Sequence, residues 1–257
     1  MEAVRSDYTI RGEGEPLVMV HGVGATRSVW DGVAERLAGR FRCITYDLRG
    51  HGRTPTPAPA FGLDELVVDL EALRVELGLD SFHLVGHSLG GMIAPAYAHA
   101  HPERVRTLGL LSTVAFRTPE ELQRMAAFTA AMRERGLAWA LDTLVQRWFT
   151  DDFVRAHPEV VEARRQTMLK MDEAIYYNTY AIYAGTDTGP WLPALAMPTL
   201  VLTGEFDPSC SPERNRQMAE ALPDAELEIY EGLRHSLLIE VPERIAASLE
   251  RFITARA

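Results

Sequence analysis

The stretch at residues 82–91 constrains the fold more than any other part of the chain, because it joins an apolar run to a run of small residues. Residues 82–85 suit a buried strand, and residues 92–100 suit a helix that packs closely on a sheet. Between them stands a Gly-x-Ser-x-Gly pattern centred on Ser88. A strand that turns into a helix within about two residues strains the backbone at the serine and leaves no room for neighbouring side chains. The pattern therefore predicts a nucleophile elbow, in which the Ser88 hydroxyl stands above the sheet and the N–H of Leu89 points to where an oxyanion would form.

Composition and charge limit the class of protein and its partners. A chain of 257 residues with a hydrophobic fraction of 47% suits one large α/β domain, or a domain with an inserted cap. The formal net charge of -10 argues against a nucleic-acid-binding surface. No apolar run approaches the roughly 20 residues needed to span a bilayer, and the polar N-terminus lacks a signal-peptide core. We therefore expect a small-molecule substrate and neither a nucleic-acid nor a membrane partner, and we leave a homodimer open.

The positions of the cysteines and histidines give no sign of a disulfide or a metal site. Cys43 and Cys210 lie far apart and are expected to be reduced thiols, which favours a cytoplasmic enzyme. His99 and His101 alternate near a predicted helix end, with no third ligand nearby. We therefore expect no metal and no cofactor.

Strand and helix signals alternate in two parts of the chain, and the part between them is purely helical. Besides the elbow strand, strands are predicted at residues 8–10, 17–20, 41–46, 106–112, 198–204 and 226–230. The first strand and the turn after it are expected to form an abbreviated N-terminal hairpin. Helical patterns separate the later strands, which indicates an α/β fold with a doubly wound, mostly parallel sheet. We therefore assign residues 1–115 and 192–257 to an α/β core and residues 116–191 to an inserted, all-helical cap.

Two later loops hold the groups that would activate a serine nucleophile. A serine hydroxyl is a poor nucleophile at neutral pH, so it needs a base, and the base needs an orienting acid. Asp207 and His235 each lie in a loop that follows a predicted strand. The chain order Ser88, Asp207, His235 predicts a catalytic triad. Glu205, two residues before Asp207, is a rival for the acid.

Motifs spread along the chain resemble those of α/β-hydrolases with a helical cap. The matching segments are His21-Gly22, Asp47-Leu48-Arg49-Gly50-His51-Gly52, Gly86-His87-Ser88-Leu89-Gly90-Gly91, Gly204-Glu205-Phe206-Asp207-Pro208, Gly232-Leu233-Arg234-His235 and Glu240-Val241-Pro242-Glu243. Relatives that dehalogenate or open epoxides usually carry aspartate at the elbow, so a serine there favours acyl chemistry. The resemblance implies that Ser88 attacks an ester or lactone carbonyl, that His235 takes its proton and that Asp207 orients the histidine. It also implies an oxyanion hole made by the N–H groups of Val23 and Leu89.

Other residues of these motifs are expected to be structural. His21 is expected to support the oxyanion turn, and His87 is expected to pack beside the nucleophile. Arg49 and His51 are expected to hold in place the Pro-rich loop that contains Pro55, Pro57 and Pro59.

The chain also resembles 3-oxoadipate enol-lactonases, which open a lactone bearing a carboxylate in aromatic degradation. The segments that carry this resemblance are Leu48-Arg49-Gly50-His51-Gly52, Leu89-Gly90-Gly91-Met92, Gln146-Arg147-Trp148-Phe149-Thr150, Asp152-Phe153 and His157-Pro158. The resemblance implies that Arg147 receives the carboxylate through a bidentate contact. Trp148, Trp139 and Tyr180 are further candidate substrate contacts, although aromatic residues of a cap more often belong to its core.

Three other functions share this fold and stay open from the sequence. A broad-specificity carboxylesterase uses the same triad and needs no carboxylate receptor. A carbon–carbon bond hydrolase of meta-cleavage products also shares the fold and the triad. Some proteins of this fold keep the triad and serve as small-molecule receptors, a function that slow turnover with tight, ligand-dependent stabilisation would reveal.

Overall fold

A seven-stranded sheet organises the molecule, whose computed structural model describes residues 2–56 and 60–256. The strands are β1 (Tyr8–Arg11), β2 (Glu15–Val20), β3 (Phe41–Tyr46), β4 (Phe82–His87), β5 (Val105–Leu111), β6 (Thr199–Gly204) and β7 (Ala225–Tyr230). Their order across the sheet is β1-β3-β2-β4-β5-β6-β7. β1 is antiparallel to β3, and every other neighbouring pair is parallel. The predicted α/β class with a mostly parallel sheet is confirmed.

The N-terminal strand differs from the sequence prediction, because β1 does not form a hairpin with β2. Tyr8 of β1 pairs with Tyr46 of β3, and β2 lies on the far side of β3. Residues 17–20 of β2 are buried, whereas no residue of β1 is. A strand that is apolar on both faces gains most from an interior place in the sheet, so the more polar β1 is left at the edge.

Helices cover both faces of the sheet. They are α1 (Asp31–Leu37), α2 (Leu63–Glu76), α3 (Gly90–Ala100), α4 (Pro119–Arg135), α5 (Leu137–Trp148), α6 (Asp151–Ala156), α7 (Pro158–Leu169), α8 (Glu173–Gly185), α9 (Pro212–Ala221), α10 (Leu237–Glu240) and α11 (Pro242–Thr254). Leu17 and Met19 of β2 belong to a buried cluster with α1 and α11. Val18 and Val20 belong to the opposite cluster, with α2, α3 and α9. Successive side chains of one strand thus pack against different helical layers, which is the doubly wound arrangement.

Five helices, α4 to α8, stand between β5 and β6. Residues 112–198, all of which the structure describes, contain no strand. Three of these helices are capped at their N-terminus by the residue that directly precedes them: α4 by Thr118, α6 by Thr150 and α8 by Asp172. Each of these side chains accepts a hydrogen bond from a backbone N–H of the first turn. The five helices share an apolar cluster of their own. The assignment of residues 116–191 to a separate cap stays a prediction.

The two cysteines lie apart in this fold, Cys43 on β3 and Cys210 in the loop between β6 and α9, and both are buried and free. Over the described ranges, no helix is both long and apolar enough to cross a bilayer.

Candidate active site

Ser88 lies at a sharp turn between β4 and α3. Its backbone φ of 57° is in the left-handed region, which a serine adopts only under constraint. The flanking glycines allow that turn: a Cβ atom on Gly86 would lie 2.0 Å from the carbonyl oxygen of Gly90, and one on Gly90 would lie 2.2 Å from that of Val20. The Ser88 N–H donates to the carbonyl of Leu111 on β5 at 3.0 Å. The backbone therefore has the strand–turn–helix geometry that the sequence pattern indicates.

Asp207 and His235 lie in the loops after β6 and β7, and their side chains are hydrogen-bonded. His235 Nδ1 donates to Asp207 Oδ2 at 2.7 Å. Asp207 Oδ1 accepts from the N–H groups of Ser209 and Cys210, both at 2.9 Å, so both oxygens of the carboxylate are held. Glu205, the rival acid, is exposed and accepts a backbone N–H instead. Of the two carboxylates, Asp207 is the one that contacts the histidine.

Burial and mutual charge shift the pKa values of this pair. Burial opposes the charged form of Asp207, but the charge and hydrogen bond of His235 outweigh it and lower the pKa of Asp207. Burial also opposes the imidazolium form of His235, whereas the Asp207 carboxylate stabilises that form and raises the pKa of His235. The environment therefore favours an imidazole that has gained a proton.

The donor atoms of Asp207, Cys210 and His235 lie within 4.8 Å of one another, a spacing that a metal site would also show. The hydrogen bond between Asp207 and His235 accounts for part of this closeness, since it joins two of the three side chains. Burial raises the pKa of the Cys210 thiol, and a neutral thiol is a poor ligand because metals bind the thiolate. The expectation of no metal stays a prediction.

Ser88 and His235 line one mainly apolar cavity between the sheet and the inserted helices. Other residues of its wall are Val23, Trp148, Arg164, Tyr176, Tyr180 and Leu238. Ser88 is 8% and His235 7% exposed, so both groups are reached only through this cavity. Within the described residues no hydrogen bond joins the Ser88 hydroxyl to His235.

The turn after β2 approaches Ser88 closely. A Cβ atom on Gly22 would lie 2.8 Å from Ser88 Cβ, so a larger residue would displace the turn. No acceptor in the described part of the chain takes the N–H of Val23 or the N–H of Leu89, which precedes α3. Their role as the oxyanion hole stays a prediction.

Two buried histidines hold this turn. His21 Nε2 accepts from the N–H of Leu48 at 3.0 Å, so the proton of the ring is on Nδ1, which donates to the carbonyl of Gly22 at 2.8 Å. His51 Nε2 accepts from the N–H of Gly24 at 3.3 Å. Burial lowers the pKa of His21 and lowers the pKa of His51 to about 4, so both rings are neutral and can accept. The contact of His21 with the turn agrees with the sequence analysis.

Arg49 and His51 have described contacts outside the Pro-rich loop, and their expected hold on that loop stays a prediction. Arg49 pairs with Asp69 on α2 through two contacts of 2.6 Å, and His51 contacts the turn after β2. Pro57 and Pro59 lie outside the described residues. Both side chains are buried, and a buried guanidinium needs a carboxylate, which α2 supplies.

His87 packs beside the pair, as its position next to the serine suggested. Its ring centroid lies 4.9 Å from that of His235, and its Nε2 lies 3.0 Å from the His235 carbonyl oxygen. Burial lowers the pKa of His87 to about 3, so the ring is neutral.

The structure separates the four cap residues that were candidates for substrate binding. Trp148 and Tyr180 line the cavity that contains Ser88. Arg147 is exposed and lines an adjoining cavity, which it shares with Tyr180. Trp139 is in the lining of neither cavity, and its ring packs 5.8 Å from that of Phe128. Their roles in binding stay predictions.

Arg164 of α7 is the charged residue of the cavity that sequence reasoning missed. Its guanidinium donates to the carbonyls of Val23 and Gly24 in the turn after β2. In the sequence it stands beside Arg165 in a charged helix, so no local signal distinguishes the two arginines.

The fold and this arrangement agree with a comparison against protein families. Residues 15–242 match the family described as the alpha/beta hydrolase fold, and the chain belongs to that family. Its named relatives include a lactonase, a succinate-derivative hydrolase and an esterase, and this chain is a hydrolase.

Individual relatives cover nearly the whole chain. The 3-oxoadipate enol-lactonase 2 of Acinetobacter baylyi is 27% identical over 249 residues, which are 96% of this chain and 92% of that protein. A thermophilic esterase from Thermogutta terrifontis is 30% identical, with a TM-score of 0.87 over 97% of this chain and 93% of that one. The enol-lactonase from Burkholderia xenovorans is 26% identical, with a TM-score of 0.87 over 97% and 96% of the two chains. The chain is therefore similar to both an esterase and lactonases.

Proposed function

We propose that the protein is a serine hydrolase that cleaves a carboxylic ester or a lactone through an acyl-enzyme. The observation that carries the proposal is the arrangement around one cavity, with Ser88 at a strained turn and His235 bonded to the buried Asp207 at 2.7 Å. A serine nucleophile requires a base oriented by an acid, and these three side chains have the matching chemistry.

In the proposed reaction, Ser88 Oγ attacks the carbonyl carbon while His235 takes the hydroxyl proton. Asp207 keeps the proton of the neutral ring on Nδ1, so Nε2 is the free base, and it stabilises the imidazolium that forms. The carbonyl oxygen becomes an oxyanion, which the N–H groups of Val23 and Leu89 bind. When the carbon–oxygen single bond breaks, His235 gives its proton to the leaving alkoxide; in a lactone this alkoxide stays attached to the acyl group.

Water completes the proposed cycle. His235 takes a proton from a water molecule as the water oxygen attacks the acyl carbon of the acyl-enzyme. The second tetrahedral intermediate then expels Ser88 Oγ, which regains its proton from His235, and the carboxylic acid is released. No step needs a metal or a cofactor.

Among esters and lactones we favour a lactone that carries a carboxylate, so that the enzyme is 3-oxoadipate enol-lactonase-like. Two relatives named enol-lactonase support this substrate class. The adjoining cavity is lined by Arg117, Arg124 and Arg147 and shares Tyr180 with the cavity of Ser88. Glu121, the only acidic residue among the described residues of this lining, is already paired with Arg214, so these guanidinium charges attract an anion.

A broad-specificity carboxylesterase is the second candidate. Arg147 lines the adjoining cavity and not the mainly apolar one that contains Ser88. A neutral ester would need only the apolar cavity and the two free N–H groups. The similarity to the Thermogutta terrifontis esterase, at 30% identity, favours this function.

Kinetics on matched substrates separate these two candidates. We expect a carboxylate-bearing enol-lactone to have a higher kcat/KM than a short p-nitrophenyl ester, and we expect Arg147→Ala to lower the value for the lactone by about tenfold, because one charge-assisted contact is lost. Arg155→Ala is the control, since it removes another exposed arginine, which pairs with Asp152 on α6. If the neutral ester is the better substrate and Arg147→Ala changes neither value, the carboxylesterase function replaces the lactonase.

Ser88→Ala tests the class of reaction itself. We expect kcat to fall by at least about a thousandfold on both substrates, because the nucleophile is lost while binding and the oxyanion donors remain. Circular dichroism and the melting temperature check that the variant is folded. Turnover at the wild-type rate would refute the serine mechanism.

Three further features are proposed from the sequence. Residues 116–191 form a cap over the cavity, and the protein is cytoplasmic, an expectation supported by two free cysteines. The homodimer stays a prediction.

A further inference from the structure

Arg164 connects the inserted helices to the turn after β2. It lies on α7, and its Nη2 donates to the Val23 carbonyl at 3.3 Å, while its Nη1 donates to the Gly24 carbonyl. The same side chain lines the cavity that contains Ser88. One residue of the insertion thus contacts the turn that approaches Ser88 at Gly22.

The guanidinium of Arg164 has no carboxylate partner within the described ranges of the chain. Burial lowers its pKa to about 10. Arg165, the next residue of α7, pairs instead with Asp142 and Glu162 near the surface. Arg164 is partly buried, and within the described ranges its donors contact two backbone carbonyls where an ion pair would otherwise stabilise the charge. This uncompensated charge beside the cavity favours a role at the site.

The hydrogen bonds of the turn account for its shape. The carbonyl of Gly22 accepts from the N–H of Ala25 at 3.2 Å and from His21 Nδ1 at 2.8 Å. The carbonyls of Val23 and Gly24 accept from Arg164. A trans peptide directs its carbonyl and its N–H in opposite directions. By holding the Gly24 carbonyl, Arg164 therefore directs the Ala25 N–H to the Gly22 carbonyl, and fixing the Gly22 carbonyl in turn directs the Val23 N–H.

We infer that Arg164 is a positioning residue, which fixes the turn through the Val23 and Gly24 carbonyls so that the Val23 N–H is held ready for the oxyanion. The inference rests on the proposed serine mechanism and adds to it a contribution from the inserted helices. His21 and His51 hold the turn from the side of the sheet, and Arg164 holds it from the side of the insertion. A donor that is already oriented needs no reorganisation in the transition state, which is the source of its effect on rate.

The test compares Arg164→Gln, Arg164→Lys and the matched control Arg165→Gln on a neutral p-nitrophenyl ester. We expect Arg164→Gln to lower kcat by about ten- to a hundredfold with KM changed by less than about threefold, because loss of one whole oxyanion donor typically costs about a hundred- to a thousandfold. Arg164→Lys keeps the charge and a single donor nitrogen in place of the guanidinium fork, so it should recover part of kcat. Arg165→Gln should keep wild-type kcat.

A second measurement reads the oxyanion hole directly. An aryl trifluoromethyl ketone forms an adduct with the serine that carries an oxyanion, whereas the product acid does not. We expect Arg164→Gln to weaken binding of the ketone by about the same factor as kcat and to leave binding of the product acid within about threefold.

The outcomes decide between the roles of Arg164. Equal kcat and equal ketone affinity in wild type and Arg164→Gln would overturn the inference while leaving the serine mechanism intact. The same variants are also assayed on the carboxylate-bearing enol-lactone: a loss on the lactone that is absent on the neutral ester would overturn the inference, because Arg164 would then be a receptor for the substrate anion. If Arg164→Gln fails to fold, amide hydrogen exchange on Arg164→Lys decides: faster exchange at residues 22–25 than in Arg165→Gln supports the inference, and equal exchange refutes it. Absence of any Ser88-dependent turnover in wild type would instead refute the proposed function.

Discussion

The hydrogen bond between His235 and Asp207 determines the pH range in which the proposed base can work. Only the neutral imidazole can accept a proton from Ser88, and the Asp207 carboxylate stabilises the charged form, which raises the pKa of His235. We therefore expect kcat/KM to rise with pH along a limb whose midpoint lies above the ordinary histidine value of 6.5. A pH–rate profile on a neutral ester measures it, and a midpoint below that value would contradict the pairing.

Removing the carboxylate should move this limb. In Asp207→Asn the charge that raises the pKa of His235 is gone, so we expect the midpoint to shift to lower pH and the plateau of kcat to fall by about ten-thousandfold, since the ring loses its orienting acceptor. Glu205→Gln is the matched control, because this exposed carboxylate lies two residues away and does not contact the histidine. If the two variants exchanged these behaviours, Glu205 would be the acid.

At the scale of elements, the close contact between the end of β2 and the start of α3 limits what position 90 can hold. A Cβ atom on Gly90 would lie 2.2 Å from the Val20 carbonyl oxygen, which belongs to the backbone and cannot move aside. We expect Gly90→Ala to lower the free energy of unfolding by about 3 kcal/mol, as overpacking of a tight contact does.

Urea denaturation measures this change, and Gly185→Ala is its control. Gly185 ends α8, and a Cβ atom there would meet nothing within 4 Å, so alanine should be neutral or stabilising by up to about 1 kcal/mol. Equal stability of Gly90→Ala and wild type would show that β2 and α3 can separate without cost.

The sequence predicts which segments form strands better than it predicts which strands pair in the sheet. Residues 41–46 were predicted as a strand and form β3, because an apolar run between turns is sufficient to define a buried strand. The partner of β1 could not be read in the same way. Pairing depends on which strands are buried on both faces once all strands are assembled, and that property belongs to the sheet and not to any local segment.

In the candidate site, too, residues in local motifs were predicted, and a residue whose position depends on helix packing was not. Ser88, Asp207 and His235 were found because each follows a strand signal in a recognisable loop. Arg164 was missed because successive residues of a helix point about 100° apart, so only the docking of α7 decides that Arg164 and not Arg165 faces the cavity. Arg147 and Trp148 were both candidate substrate contacts, and the helix places the two side chains in the linings of different cavities.

For the whole molecule, the buried neutral histidines predict a loss of stability in acid. Burial lowers the pKa values of His21, His51 and His87, the last two to about 4 and about 3. Below the ordinary histidine pKa of 6.5, these rings are protonated in the unfolded chain but stay neutral in the folded protein. The free energy of unfolding therefore falls as pH decreases from about 6.5 towards about 4. His235 acts in the opposite sense, because its raised pKa stabilises the folded state until pH rises through that value.

Melting temperatures between about pH 7 and about pH 4.5 measure this dependence. We expect a flatter dependence in His51→Gln, which removes one of the buried rings, than in His157→Gln, which removes an exposed one. An identical dependence in wild type and His51→Gln would mean that His51 takes up a proton without disturbing the fold.

The contact of Arg164 with the turn after β2 also bears on how this molecule could be re-engineered. An exchange of residues 116–191 for the helices of another family member would leave Ser88, Asp207 and His235 untouched. It would nevertheless remove the donor to the Val23 and Gly24 carbonyls, unless the grafted segment carried an arginine to the same point. Substrate preference and catalytic rate are therefore not independent in this protein. A chimera designed only to change the substrate would also lose part of the catalytic rate.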